Sequence, residues 1–248
     1  MRTPSEIDAD YDGLAWCYER WWGDRFHPPL QRVLETLFYP RVRPPARVLD
    51  LCCGTGHLSR VLRARGYGVV GLDRSIDMLR AARHVVPGLP VVCGDASRFG
   101  AAGFDAVVCT FDSVNHLTSL PAVEGLLQCV RRALCSGGLF LFDINTPPAF
   151  AFEWGKSSAV VTEDAALFVR GRYDAVERLG HTDITTFRRR GRWHRHDHHV
   201  TQRCYELAEI HAGLQRAGFR DIAAHPADAV GMAGDIGVGR VFFTATVS

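Results

Sequence analysis

VLDLCCGTGHLS, residues 48–59, is the stretch from which the rest of the chain can be read. With Arg47 its first half is a short apolar strand, RVLDL (47–51). Gly54-Thr55-Gly56 turns the chain, and HLSRVLRARG (57–66) has helical spacing with Gly66 at its end. The same alternation then repeats. YGVVGLD (67–73) reads as a second strand and SIDMLRAARHVV (75–86) as a helix with Ser75 as N-cap. LPVVCGD (89–95) and FDAVVCTF (104–111) read as the third and fourth strands. Residues 119–134 are helical in pattern, Gly137-Gly138 turns, and LFLFDI (139–144) is a fifth strand. Short apolar strands separated by helices imply parallel pairing with right-handed crossovers, which is a doubly wound α/β class.

The flanks differ from this rhythm. Residues 5 to 40 read as two helices, with aromatics between Tyr11 and Trp22 and Pro28-Pro29 placed to start the second. Beyond Asn145, three segments alternate in strand fashion: ALFVRGRY (166–173), GHTDITTFRR (180–189) and RWHRHDHHVTQRCY (192–205). They predict a small antiparallel insert. A helical pattern returns in LAEIHAGLQRAGF (207–219), and strands near 220–225 and 240–247 follow. The expected organisation is a helical lid over 1–45, a core over 46–148, an insert over 149–206 and the remainder of the core over 207–248.

Composition narrows the partners. The net charge of +2 gives no electrostatic case for nucleic acid or an anionic membrane. No run approaches the eighteen apolar residues of a membrane span, and MRTPSEIDADYDG at the N-terminus lacks the apolar region of a secretory signal. Cys52, Cys53, Cys93, Cys109 and Cys129 sit inside apolar runs, as reduced thiols in a cytoplasmic protein would. No CxxC pair exists, so no metal site is expected from cysteine. His194-Arg195-His196-Asp197-His198-His199 reads as a solvated strand, with His194, His196 and His198 on one face. Arg188, Arg189 and Arg190 also read as solvated, and would be phosphate ligands only for a nucleotide-linked acceptor. Lys156 is the only lysine, which leaves almost no room for Schiff-base chemistry.

The chemistry gathers at strand ends. Asp50, Gly54 and Gly56 mark the carboxyl end of the first strand, where open α/β sheets bind ligands. Asp73 ends the second strand, where a carboxylate can accept from both ribose hydroxyls. Asp95 ends the third and can accept from an adenine amino group, while the Ala96 N–H can donate to a ring nitrogen. A dinucleotide fits less well. Gly54-x-Gly56-x-x-Ser59 lacks the third glycine of that fingerprint, and Asp50 would face a pyrophosphate. A nucleoside with a cationic, phosphate-free tail suits this rim. S-adenosylmethionine has that shape and charge.

The runs VLDLCCGTGHLS, GLDRS, CGDAS, FDAVVCTFDSVNHL and SGGLFLFDINTP together resemble the class I S-adenosylmethionine-dependent methyltransferases across residues 46–148. Tyr11-Asp12-x-x-Ala15-x-x-Tyr18-Glu19 is similar to the opening of their small-molecule members. The resemblance implies a seven-stranded sheet of order 3-2-1-4-5-7-6, the last strand antiparallel. It implies cofactor contacts from Tyr18, Asp50, Cys52, Gly54, Gly56, Asp73, Arg74, Asp95, Ala96, Thr110, Phe111 and Asp112, with S-adenosylhomocysteine as product. Phe111 to Leu117 is similar to the matching loop of nucleotide-sugar N-methyltransferases and glycine N-methyltransferase. That loop makes His116 the candidate proton acceptor, with Tyr11 as a second catalytic candidate. Asp143 and Asn145 are expected on the acceptor side. The expected acceptor is a small molecule, through an amine nitrogen. RNA or protein methylation, a non-catalytic S-adenosylmethionine-binding module, and a homodimer through the insert stay open here.

Overall fold

Alternation along the strands decides the layering. The computed structural model describes residues 13–248. In β1 (Arg47–Leu51), Val48 faces one core and Leu49 and Leu51 the other. In β4 (Phe104–Cys109) and β5 (Leu134–Asn145), Val107 and Phe140 face one side while Val108 and Leu141 face the opposite one. A strand apolar on both faces must be covered on both, so helices lie above and below. On one side are α1 (Gly23–Leu37), α2 (His57–Ala64) and α3 (Ile76–Val85), which bury Leu30, Leu34, Leu58, Leu62 and Ala82. On the other are α4 (Leu120–Ala133) and, from the C-terminal part, α6 (Leu207–Arg216), which bury Leu126, Val130 and Leu214. Each such large apolar side chain contributes roughly 1.5–3 kcal/mol.

With β2 (Gly68–Asp73), β3 (Val91–Cys93), β10 (Arg220–Pro226) and β11 (Arg240–Thr246), the main sheet runs in the order 10-11-5-4-1-2-3. The five strands through β5 are parallel, and β11 is antiparallel to both β5 and β10. This is the order expected from the resemblance. The N-cap expectation also holds: the Met78 N–H donates to Ser75 Oγ at 3.2 Å.

A second antiparallel sheet contains β6 (Ser157–Val161), β7 (Ala165–Asp174), β8 (Leu179–Arg190) and β9 (Arg192–Arg203) in sequential order. Its inner face meets the residues before α1: Leu14 and Cys17 pack with Met78, Leu167, Ile184 and Val200. The insert and the N-terminal helical segment thereby roof the carboxyl ends of the parallel strands.

Several sequence expectations are corrected. The insert has four strands, not three, because the mostly exposed edge strand β6 shows no two-residue alternation. The short helix α5 (Pro147–Glu153) had no clear pattern of its own. The third strand shrinks to three residues, and β5 begins at Leu134, ahead of the glycine pair. Pro28 and Pro29 lie inside α1. The helix is already running through Ala15–Cys17 and a π turn at Tyr18–Trp22, where the Gly23 N–H donates to the Tyr18 carbonyl. The prolines remove two interior donors, and burial of Phe26, Leu30, Val33 and Leu34 along α1 offsets the loss. No helix among the described residues is long and apolar enough to cross a membrane.

Candidate active site

The loop after β1 is shaped by backbone conformations that few residues adopt. Cys52, Gly54 and Gly56 all have positive φ, at 60°, 51° and 80°. The two glycines differ in purpose. A Cβ on Gly54 would meet nothing within 4 Å, because it faces open cavity. A Cβ on Gly56 would stand 3.1 Å from that of Ala82, so this glycine lets α2 lie against α3. Gly56, expected as a cofactor contact, is not among the residues facing the cavity.

Asp73 holds this loop. The Gly54 N–H donates to its Oδ2 at 2.8 Å and the Ser75 N–H to its Oδ1 at 2.9 Å. Asp95 is fixed by the Ser97 N–H at 2.8 Å and the Ser97 hydroxyl at 2.7 Å. Burial pushes the Asp95 carboxyl up, but the Ser97 bonds and the nearby Arg74 outweigh it, and it stays below its ordinary value. Asp50 is buried at the floor, where the Ser59 hydroxyl donates to its Oδ2 at 2.6 Å. Burial raises its pKa to about 7 against the Ser59 bond, with Asp73 adding to the rise.

Two cavities meet beneath the roof. One, of about 230 Å³, is faced by Asp50, Cys52, Gly54, Asp73, Arg74, Asp95, Ala96, Thr110 and Phe111. These are nine of the sequence-predicted contacts, brought together from the ends of β1, β2, β3 and β4. The other, of about 440 Å³, lies between core and insert and is large enough for a drug-sized molecule. Trp22, Asn145, Trp154, Val169, Ile184, Gln202 and Arg240 contribute to it. Tyr18, Phe111, His116 and Val200 border both. His116 thus stands where the two spaces join. Burial lowers its pKa against the opposing pull of Asp112, favouring the neutral ring that can accept a proton.

Phe111 is held firmly at this junction. It stacks on Phe26 with centroids 4.3 Å apart, and Tyr18 meets its edge at 5.7 Å. Phe111 and Asp112 both have positive φ, at 66° and 47°. The Asp112 N–H donates to Asp143 Oδ2 at 2.9 Å, and the Asp112 carboxylate accepts from Gln202 at 2.6 Å and Arg240 at 2.9 Å. Arg240 also pairs with Asp143 and lies over the Phe26 ring at 5.2 Å. Asp112 therefore borders the second cavity and not the first, contrary to its expected place among the cofactor contacts. Asp143 is likewise not an acceptor-side group. It is fully buried beneath the loop, and burial raises its pKa to about 6 despite Arg240.

Other expectations fall elsewhere. Tyr11 lies outside the described residues. Arg188 and Arg190 border a separate depression near Trp16 that shares no lining residue with either cavity, and Arg189 pairs with Glu163, so these arginines do not form a phosphate site at the second cavity. Arg195 and Asp197 pair on the outer face of β9 as alternation requires. No group of three potential metal ligands occurs among the described residues. Sequence reading missed Arg240, Gln202, Trp154, His27 and His57. One available signal was Asp143 itself: an acid inside the apolar run LFLFDI must find a partner, and the lone arginine opening RVFFTAT is the matching cation.

The sheet order, the glycine loop and the row of strand-end acids together define a class I methyltransferase fold. Residues 48–138 match the methyltransferase-domain family. The chain is 40% identical over 156 residues to a demethylmenaquinone methyltransferase of Beutenbergia cavernae, a match covering 61% of this chain and 63% of that protein's length. Among solved structures it is similar to an S-adenosylmethionine-dependent methyltransferase from Clostridium acetobutylicum, with 20% identity, TM-score 0.80, and coverage of 96% and 99% of the two chains. It is also similar to an S-adenosylmethionine-bound amino pentose methyltransferase from Micromonospora echinaspora, with 24% identity, TM-score 0.70 and 96% of each chain covered.

The first cavity suits S-adenosylmethionine on its own donors and acceptors. Asp73 and Asp95 offer carboxylate oxygens for a ribose and an adenine, the Gly54 position is open, and Asp50 offers a carboxylate to a cation. This has a pH consequence. A cationic tail beside Asp50 favours its carboxylate, so binding lowers its pKa and releases a proton. Affinity for S-adenosylmethionine should therefore rise severalfold between pH 6 and pH 8 and level off above about 7, the pKa of Asp50 before binding. Calorimetric titration across that range checks it. Asp50→Asn should bind more weakly with a flat profile, and a flat profile in the wild type would refute the assignment.

Proposed function

We propose that the chain transfers a methyl group from S-adenosylmethionine to a small-molecule acceptor, through an amine nitrogen. The observation that carries this reading is the meeting of two cavities at Tyr18, Phe111, His116 and Val200. One has the acceptors for a nucleoside, and the other has room for a second molecule beneath the insert. When bound, the cofactor supplies an electrophilic methyl on a sulfonium. The chain's own work is positioning, water exclusion and proton handling. Phe111, stacked on Phe26 and met at its edge by Tyr18, borders the junction from both sides. The neutral imidazole of His116 takes the proton of an arriving ammonium, which frees the nitrogen lone pair. Tyr18, which borders both cavities, and Trp22, which borders the second, are in edge contact at 4.8 Å. The structural neighbour named as an amino pentose methyltransferase makes amine-bearing sugars the first acceptors to screen.

His116→Gln tests the catalytic part. It keeps a polar group of similar reach but cannot accept the proton. We expect turnover to fall roughly 10²–10⁴-fold, the usual range for a general base, with cofactor affinity within about twofold of wild type. Amines and amino sugars are the acceptors to screen, with hydroxylated quinones as the contrasting class. Full activity in His116→Gln would remove His116 from the reaction. Methylation confined to quinones would overturn the amine acceptor and leave the methyl transfer standing.

A further inference from the structure

Asn145, the last residue of β5, is 6% exposed and borders the second cavity, yet its side-chain amide makes no hydrogen bond among the described residues. Its backbone is engaged instead: the Asn145 N–H donates to Asn115 Oδ1 at 2.8 Å, and its carbonyl accepts from Asn115 Nδ2 at 3.0 Å. A buried amide left without a partner is costly, so it points to a group that arrives from outside. Gln202 borders the same cavity from the insert and is also 6% exposed. Its Nε2 donates to Asp112 at 2.6 Å, which leaves Oε1 without a partner among the described residues. Asn115, itself fully buried, brings the two together. Its Nδ2 also donates to the Arg203 carbonyl at 2.8 Å, so the ends of β5 and β9 are both tied to the turn Ser113–His116. The residue that closes this turn is His116.

The chemistry of these two amides selects the partner. Oε1 of Gln202 can only accept, so its partner must carry an O–H or N–H. The Asn145 amide both gives and takes. A carbonyl, ether or carboxylate has no proton to give, and an ammonium has no lone pair to offer. The charged side chains alongside, Arg240 with Asp112 and Asp143, are paired with one another and call for no ion. A hydroxyl meets both demands. We propose that Asn145 and Gln202 read a hydroxyl of the acceptor, close to the nitrogen presented to His116, which makes the substrate class an amino alcohol. The inference rests on an amine acceptor occupying the second cavity. The Asn145 amide donates to the hydroxyl oxygen, and the hydroxyl donates to Gln202 Oε1. An amine without the hydroxyl leaves both amides unmade and its nitrogen unplaced.

The test compares amines that differ only in this group. Initial rates are measured for the full chain, with saturating S-adenosylmethionine, on cyclohexylamine, 2-aminocyclohexanol and 3-aminocyclohexanol. Wild type should favour the better amino alcohol over cyclohexylamine by about 10- to 100-fold in kcat/KM, the range for leaving buried polar groups without a partner. Asn145→Ala should bring that ratio to within about threefold, with a melting temperature within about 2 °C of wild type, because the amide has no protein partner to lose. Asn145→Ser, whose hydroxyl also gives and takes, should keep part of the preference. Equal use of all the amines by wild type overturns the hydroxyl reading and leaves the amine acceptor intact. An equal loss on all of them in Asn145→Ala, or a marked fall in its melting temperature, overturns it in favour of packing. Methylation of none of them by wild type overturns the amine acceptor and this inference together.

Discussion

Asp73→Ala should weaken S-adenosylmethionine binding by about 100-fold or more. Two losses combine. In the proposed reading the carboxylate accepts from the ribose, and hydrogen bonds to a charged group are worth about 1.5–3 kcal/mol each. The same carboxylate accepts the Gly54 and Ser75 N–H groups at 2.8 and 2.9 Å. Without it, the loop that carries Cys52 and Gly54 at positive φ loses its tether. Asp73→Asn separates the two effects, because its amide oxygen can still accept from one N–H. It should fold with little change in melting temperature yet bind S-adenosylmethionine at least about tenfold more weakly, having lost the charge. Calorimetry gives the affinities and thermal melting the stabilities. Affinity within threefold of wild type in Asp73→Ala would place the nucleoside elsewhere.

Arg240→Met should have the largest effect on stability. Arg240 is 5% exposed and pairs with Asp112 and Asp143, themselves 8% and 0% exposed. Removing one member of such a group leaves buried charge uncompensated, which costs about 3–5 kcal/mol. For a chain of this size that lowers the melting temperature by about 6–20 °C. The sign of its pH dependence follows from Asp143. Burial already raises that carboxyl to about 6, and losing the arginine raises it further. A protonated Asp143 needs no cation, so its share of the deficit should vanish near pH 5 and be full at pH 8, while the share from the Asp112 pair remains at both. Arg240→Met/Asp143→Asn should recover part of the loss at pH 8. A melting temperature within 2 °C of wild type, or a deficit independent of pH, would show that the network is not maintained as drawn.

The same network explains what could and could not be read from the sequence. The parallel core was legible because each of its signals is local: an apolar run, a glycine turn, an acid at the strand end. Asp50, Asp73 and Asp95 therefore fell on one rim as expected. The strand order came only with the family resemblance, since periodicity does not choose neighbours. The acceptor side was less legible because its walls come from distant parts of the chain. Trp22, Trp154, Gln202 and Arg240 share no local pattern, and they meet only once the insert folds over the core. The cavity that Asp112 borders was hidden for a related reason. The position of Asp112 after β4 suits the cofactor rim, but Arg240, 128 residues away, turns it to the other cavity. Gly54 and Gly56 look alike in sequence although the structure gives them different neighbours. Only the distance to Ala82 separates the one that faces open space from the one that admits a helix. The stacked pair of His27 and His57 beside the first cavity was hidden in the same way: each is unremarkable alone, and their stacking depends on how α1 crosses α2.

The most direct test of the central claim is calorimetric titration of the full chain with S-adenosylmethionine, S-adenosylhomocysteine and NAD. The account predicts saturable binding of the first two at a single site and none of NAD, because the strand-end acids and Asp50 accept a nucleoside with a cationic tail and disfavour a pyrophosphate. Binding of NAD alone would contradict it and assign the glycine loop to a dinucleotide.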